Sequence, residues 1–321
     1  MSMRIGYNTW SMAKVPYEQF VPGLADIGYR AIAVSVVPSY RINGQEVPNA
    51  AALDRLGPDE RRRLKAMFEE RDLALPSLIG NQNLLQDDEV TNAEAEQRLR
   101  ATIDLAADLA FGGANPPTLN TGTGGHSDDL EPRRELLVER LGRLADYAAQ
   151  RGVVVCIEPH VGGAIDTPER AQWLVNAVDS PNLRLDFDIS HFEVVGFPTE
   201  ETVRQLTPLA GAAEIKDQHF RYVDGIDGGS PADDWAVPGN GTGRATAADG
   251  RQIEFQFLLG GEGDFDLPAY LRLMQAQGFS EPIAFEASVQ CQARPDYDGL
   301  AVAASTYRWM ADGWRQAGLE V

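Results

Sequence analysis

The stretch from Val153 to Ser288 decides the fold: VVVCIEPH at 153–160, LRLDFDISH at 183–191, AAEIKD at 212–217 and PIAFEAS at 282–288. Each segment holds a short β-branched or apolar run that meets a carboxylate at or near its end. Such runs suit strands covered on both faces, as in a parallel sheet. Amphipathic helical stretches separate them, at 167–178, 199–209 and 267–277, and a closing helix spans 300–316. Thr167 is placed to cap the first of these, with Glu169 in its opening turn.

The same alternation extends back to the N-terminus. RIGYNTW (4–10), YRAIAVSVV (29–37), residues 73–79 and residues 118–121 read as strands. Residues 17–27, DERRRLKAMFEER (59–71), 93–110 and 133–150 read as helices, the last stopped by Gly152. Eight strands alternating with eight helices in 321 residues predict a single-domain α/β protein, a closed (β/α)8 TIM barrel over 1–321. The structural rival, a doubly wound open sheet, announces a nucleotide site after its first strand. Here that position reads Ser11-Met12-Ala13-Lys14, with no Gly-rich phosphate loop.

One segment breaks the rhythm. Residues 217–266, between strand seven and its helix, are rich in Gly, Asp and Pro. An insertion this long on the catalytic face predicts a lid or a partner-docking arm. Within it, QIEFQFLL (252–259) is expected to form an extra strand or to pack over the mouth.

Composition removes several function classes. The net charge of −20 disfavours nucleic acid and anionic membranes, which need Lys and Arg to neutralise phosphate. No run approaches the ~20 apolar residues of a membrane helix. The N-terminus lacks a signal-peptide pattern, and two distant cysteines, Cys156 and Cys291, give no disulfide framework. A cytoplasmic location is therefore expected. No Gly-x-Ser-x-Gly elbow and no Gly-x-x-x-x-Gly-Lys-Ser/Thr loop occurs.

Barrel enzymes place their chemistry at the C-terminal ends of the strands. Those ends carry Glu158 and His160, Asp188 and His191, Glu214 with Lys216 and then His219, and Glu286. Glu158 and Glu286 follow apolar runs that belong in a barrel wall, and a buried carboxylate is costly unless compensated. Several on one rim predict a shared cation, with Glu158, Asp188 and Glu286 as ligands. Their oxygen donors suit Mn, Mg, Co or Zn. His160 faces the same mouth and can move protons or bind hydroxyls. Trp10 is placed to stack on a sugar face. Asn81, Asn83 and Asn120 lie on the mouth side as hydroxyl binders, and Arg294, just beyond strand eight, is placed either to reach the substrate or to serve the surface.

The motifs IEPH, DFDISH, EIKD, GEGDFDLPAYLRLMQAQGF and FEAS together resemble the sugar phosphate isomerase/epimerase family, the xylose isomerase-like barrels. The resemblance spans the chain and is strongest from Val153 to Ser288. It implies one divalent metal held by Glu158 on strand five, Asp188 on strand six and Glu286 on strand eight. It also implies that His191 serves substrate or supports a ligand. The family's His-x-Lys-Asp on strand seven reads Glu214-Ile215-Lys216-Asp217 here. The fourth ligand is then Glu214, which shares a side with Lys216 in a regular strand, or His219 downstream. An all-carboxylate set favours Mg or Mn. Lys216 is placed to hold a substrate oxygen or to balance the carboxylates.

The activity so implied is isomerisation or epimerisation of a keto sugar or polyol through an enediolate, with Glu158, Glu286 and His160 moving protons. A lyase acting on an oxidised sugar, inositol or C-glycoside, with a partner subunit, is the alternative. A barrel that has lost its metal is the non-enzymatic one. Homo-oligomers are also expected of such barrels.

Overall fold

A computed structural model describes residues 3–111, 115–223, 236–237 and 240–321. Eight parallel strands close into a barrel: β1 (Ile5–Asn8), β2 (Ala31–Ser35), β3 (Ser77–Ile79), β4 (Thr118–Thr121), β5 (Val155–Ile157), β6 (Leu183–Asp188), β7 (Ala210–Ile215) and β8 (Ile283–Phe285). Each pairs with its neighbour in sequence, and β8 closes the ring on β1 through Ile5–Ile283 and Tyr7–Phe285. The outer helices are α1 (Tyr17–Ile27), α2 (Pro58–Glu70), α3 (Glu89–Asp108), α4 (Leu130–Ala149), α5 (Pro168–Val178), α6 (Thr199–Leu206), α7 (Leu267–Ala276) and α8 (Gly299–Ala317). The expected TIM barrel is what the chain forms.

Why these stretches form these elements is visible at their ends. The Thr167 hydroxyl accepts from the Arg170 amide at 3.2 Å and caps α5. Gly152, at φ 68°, takes the left-handed step that turns the chain out of α4 into β5. Strand wall and helix inner faces merge into one apolar core that includes Tyr7, Ile32, Leu78, Leu119, Ile157, Phe187 and Phe285.

Three elements differ from the expected ones. Strand three begins only at Ser77, because Pro76 has no amide to donate, and Ala74 makes a lone bridge to Ala31. Strand one stops at Asn8, whose side-chain oxygen accepts from the Trp10 amide at 2.8 Å and starts a 3-10 turn over Thr9–Met12. Trp10 therefore sits on a turn at the mouth and meets Tyr40 edge-on, with centroids 4.9 Å apart. Tyr40 comes from an unexpected hairpin, Ser39–Ile42 against Gln45–Pro48. Its Asn43-Gly44 corner has φ of 50° and 74°, the geometry that Asn-Gly hairpin turns favour.

The excursion after β7 is structured where it is described. Asp217–Tyr222, Gln252–Leu258 and Gly243–Thr246 form an antiparallel sheet with Gln252–Leu258 in the centre. Residues 224–235 and 238–239 of the expected lid lie outside the described residues. The Asp217 carboxylate anchors the return leg by accepting from the amides of Gly261 and Gly263 at 2.8 Å each and of Phe265 at 3.3 Å. Gly263 is needed there: a β-carbon would lie 2.4 Å from an Asp217 oxygen. Among the described residues no helix is long and apolar enough to cross a membrane.

Candidate active site

The C-terminal ends of β5 to β8 bring Glu158, Asp188, Glu214, Lys216 and Glu286 to one point. Inward parity does most of this. Asp186 and Asp188 alternate with Phe187 on β6, and Glu214 lies opposite Asp188 in the β6–β7 register. All these side chains are buried or nearly so.

The Lys216 ammonium is the hub. It donates a short hydrogen bond to Asp188 Oδ2. It lies 3.4 Å from Glu286 Oε1, 3.6 Å from Glu158 Oε1 and 3.2 Å from His191 Nε2. Asp188 Oδ1 accepts from the Ser190 amide at 2.9 Å and its hydroxyl at 2.6 Å. Across the site, Asn8 Nδ2 donates to both Glu214 oxygens at 2.9 Å and to Glu286 Oε2 at 3.3 Å. Asn8 thus aims two carboxylates from the strand that closes the barrel beside β8. An amide on the last residue of a buried first strand was the only sign of it in the sequence.

The charges do not balance. Five carboxyl groups, Asp186 included, surround one ammonium. Burial works against the charged form of Lys216, but Asp188, Glu286 and Glu158 hold its pKa well above the usual lysine value. Burial likewise works against ionised Glu158 and Asp188, yet Lys216 and His191 together outweigh it and both pKa values fall below the usual carboxylate range. Glu214 goes the other way: burial, then Asp186 and Glu286, push it well above that range. Burial also raises Glu286, with Glu158 adding to the shift and Lys216 opposing it. Asp186 is raised by burial and then by Glu158; one of its oxygens accepts from Asn120 Nδ2 at 2.6 Å, and the other has no partner among the described residues.

That surplus of buried negative charge fits a divalent cation. Oxygens of Glu158, Glu214 and Glu286 lie within 4.8 Å of one another, as do ligand atoms of Glu158, Asp188 and His191. Glu158 belongs to both groups. The donors are mainly carboxylate oxygens, the chemistry that hard cations select.

The remaining expected residues divide. His160 stands at the rim with its ring on that of His191, centroids 3.9 Å apart, and its Nδ1 is 2.9 Å from the Val161 carbonyl. Its pKa is lowered to about 4, by loss of solvation around the ring and then by His191, with Glu158 opposing and Lys216 adding to the shift. The ring is therefore neutral at pH 7. Asn120 lies deeper, between Thr118 and Asp186, so its amide serves the barrel floor. Asn83 is turned to its own loop, accepting from the Leu85 amide, and Asn81 accepts from the Gly122 amide.

Two candidates do not join the centre. His219 directs Nε2 to Gln256 at 3.1 Å, on the excursion sheet, and belongs to neither ligand group. Arg294 makes a two-pronged ion pair with Glu262 at 2.9 and 2.7 Å. The residues not anticipated are Asn8, Tyr40 and Phe257. Phe257 meets His191 edge-on with centroids 5.2 Å apart.

A family model described as xylose isomerase-like TIM barrel matches residues 22–312. A 3-dehydroshikimate dehydratase of Bacillus anthracis is 27% identical over 132 residues, 40% of this chain and 45% of that protein. The chain matches less than half the length of its curated relatives. A 3-keto-D-glucoside 4-epimerase from E. coli shares the fold at a TM-score of 0.68 and 13% identity, over 97% of this chain and 100% of that one. A xylose isomerase-like barrel protein from Mycobacterium smegmatis, solved with magnesium, does so at 0.65 and 16%, over 98% and 97%.

Proposed function

We propose, from the premise that the chain belongs to the xylose isomerase-like TIM barrel family, that it isomerises or epimerises a keto sugar or related polyol with a divalent metal. The observation that carries the reading is the convergence of Glu158, Asp188, Glu214 and Glu286 on one buried point. Its dehydratase and isomerase relatives support the reading.

Glu158, Glu214 and Glu286 would hold the ion, with Asp188 beside them; Mg or Mn suits such donors best. When bound, the ion supplies Lewis acidity to a substrate carbonyl. The protein's own groups do the rest. Glu158 and Glu286 project from β5 and β8, three strands apart on the ring. One takes the proton α to the carbonyl, and the ammonium of Lys216 donates to the oxygen that becomes negative. If the other returns the proton to the opposite face of the same carbon, the outcome is epimerisation. If one base carries it to the neighbouring carbon, the outcome is isomerisation. Neutral His160, at the rim, accepts a hydroxyl proton or orients that hydroxyl. Trp10, on Tyr40, gives the sugar an apolar wall.

The dehydratase relative supports a second reading. The same α-proton removal, followed by departure of a β-hydroxyl as water, makes the enzyme a lyase. Product analysis separates the two.

Elemental analysis beside a screen of free keto sugars tests the reading. About one equivalent of divalent metal per chain is expected. Conversion should be lost on chelation and return with Mn or Mg. Undiminished conversion by chelated, metal-free protein would overturn it, as would the absence of both metal and conversion, the behaviour of a non-catalytic barrel.

A further inference from the structure

The central strand of the excursion sheet, Gln252–Leu258, is covered on both faces over Ile253–Leu258. Ile253, Phe255 and Phe257 pack with Val194 and Val195, in the segment that follows β6. Phe257 continues into the candidate site. Its ring meets His191 edge-on at 5.2 Å, and the Lys216 ammonium lies 5.7 Å from its centroid. That is within the ~6 Å at which an aromatic face attracts a cation.

The backbone of Phe257 is clamped from two sides. Its carbonyl accepts from Asn240 Nδ2 at 2.5 Å and from Cys291 Sγ at 3.3 Å. Asn240 is itself held, its Oδ1 accepting from Arg294 Nε at 3.2 Å. Arg294 is fixed in turn by Glu262. A continuous set of contacts therefore runs from Glu262 through Arg294 and Asn240 to Phe257, and ends on Lys216 and His191.

We propose that Phe257 is a positioning residue: the excursion holds its ring against Lys216 and His191 so that ammonium and imidazole stay directed at the carboxylates. Arg294 acts through it, by way of Asn240. The inference rests on the enzymatic reading of the site only for its kinetic consequence. A flexible lysine stem samples several rotamers unless packing selects one. The ring selects the rotamer that points inward and keeps water from the Lys216–Asp188 pair.

Phe257→Leu keeps an apolar side chain, somewhat smaller, and removes the π face. Turnover of the wild type's keto sugar should fall about tenfold in kcat, the scale of one partly desolvated cation–π contact. KM and the Mn2+ dissociation constant should hardly move. Asn240→Ala should shift kcat in the same direction, by less. A second readout needs no substrate. The chain has four histidines, so the His191 ring proton resonances can be assigned with His191→Gln. They should move in Phe257→Leu as the ring current is lost. Unchanged kcat, or loss of Mn2+ affinity in step with kcat, would overturn the positioning role. If the wild type turns over no keto sugar, the enzymatic reading fails separately; a His191 signal that does not move would then overturn the placement of Phe257 itself.

Discussion

Glu286→Gln is expected to lower keto-sugar turnover by roughly 10²- to 10⁴-fold, the range of a positioned proton-transfer group. The substitution is nearly isosteric. It keeps the side chain between Asn8, at 3.3 Å, and Lys216, at 3.4 Å, and removes only the carboxylate's charge and basicity. Assay at saturating Mn2+ separates weaker metal binding from lost chemistry. Glu158→Gln should fall in the same range, because Glu158 belongs to both ligand groups. If either variant at saturating metal keeps wild-type kcat, that carboxylate is not a base in the reaction.

Lys216→Met should destabilise the metal-free protein by about 3–5 kcal/mol, the usual cost of stripping one partner from a buried ion pair. Methionine fills the space of the stem but leaves Glu158 and Asp188 without their cation. The pH dependence follows from the direction of the shifts. Glu158 and Asp188 have lowered pKa values in the folded state. Their contribution is therefore present above the ordinary carboxylate pKa, and it is lost as pH falls through the lower folded values. Removal of Lys216 removes the largest lowering influence on both groups and leaves burial largely unopposed. The gap in melting temperature between wild type and variant should be full at pH 7 and narrow in strongly acid solution. Divalent metal should close much of it at pH 7 by supplying the missing positive charge. A metal-free variant as stable as wild type at pH 7 would show that Lys216 does not balance the cluster.

The barrel was legible because a parallel wall buried on both sides leaves a plain mark: a short apolar run, then a carboxylate where the strand meets the mouth. Glu158, Asp188 and Glu286 carry that mark, and Glu214 with Lys216 follows by parity on β7. The parity argument stops where the strand leaves the barrel. His219 is only three residues beyond Lys216, but by then the chain runs in the excursion sheet opposite Gln256. Sequence spacing cannot register that change of sheet. Asn8 was hidden for another reason. Its partner Glu214 is 206 residues away, and only closure of β1 onto β8 brings them together. Proximity to strand eight leaves Arg294 between substrate and surface; in the structure Glu262, in the return leg of the excursion, takes both of its prongs. The hairpin carrying Tyr40 had a readable signal in Asn43-Gly44. In the excursion sheet only the central strand was readable, from the run QIEFQFLL; its neighbours, Asp217–Tyr222 and Gly243–Thr246, carry no such apolar run and depend on it for their edges.

The most direct test of the central claim is proton exchange at the carbon α to a substrate carbonyl. Keto sugars are incubated in D2O with metal-loaded protein and followed by proton NMR. Loss of the α-proton signal of at least one sugar is expected, abolished by chelation and strongly slowed by Glu286→Gln. Exchange precedes the choice between isomer, epimer and dehydration product, so it reads the shared step whichever product forms. A protein that carries a full equivalent of divalent metal, yet exchanges no α-proton in any keto sugar offered, would contradict the account.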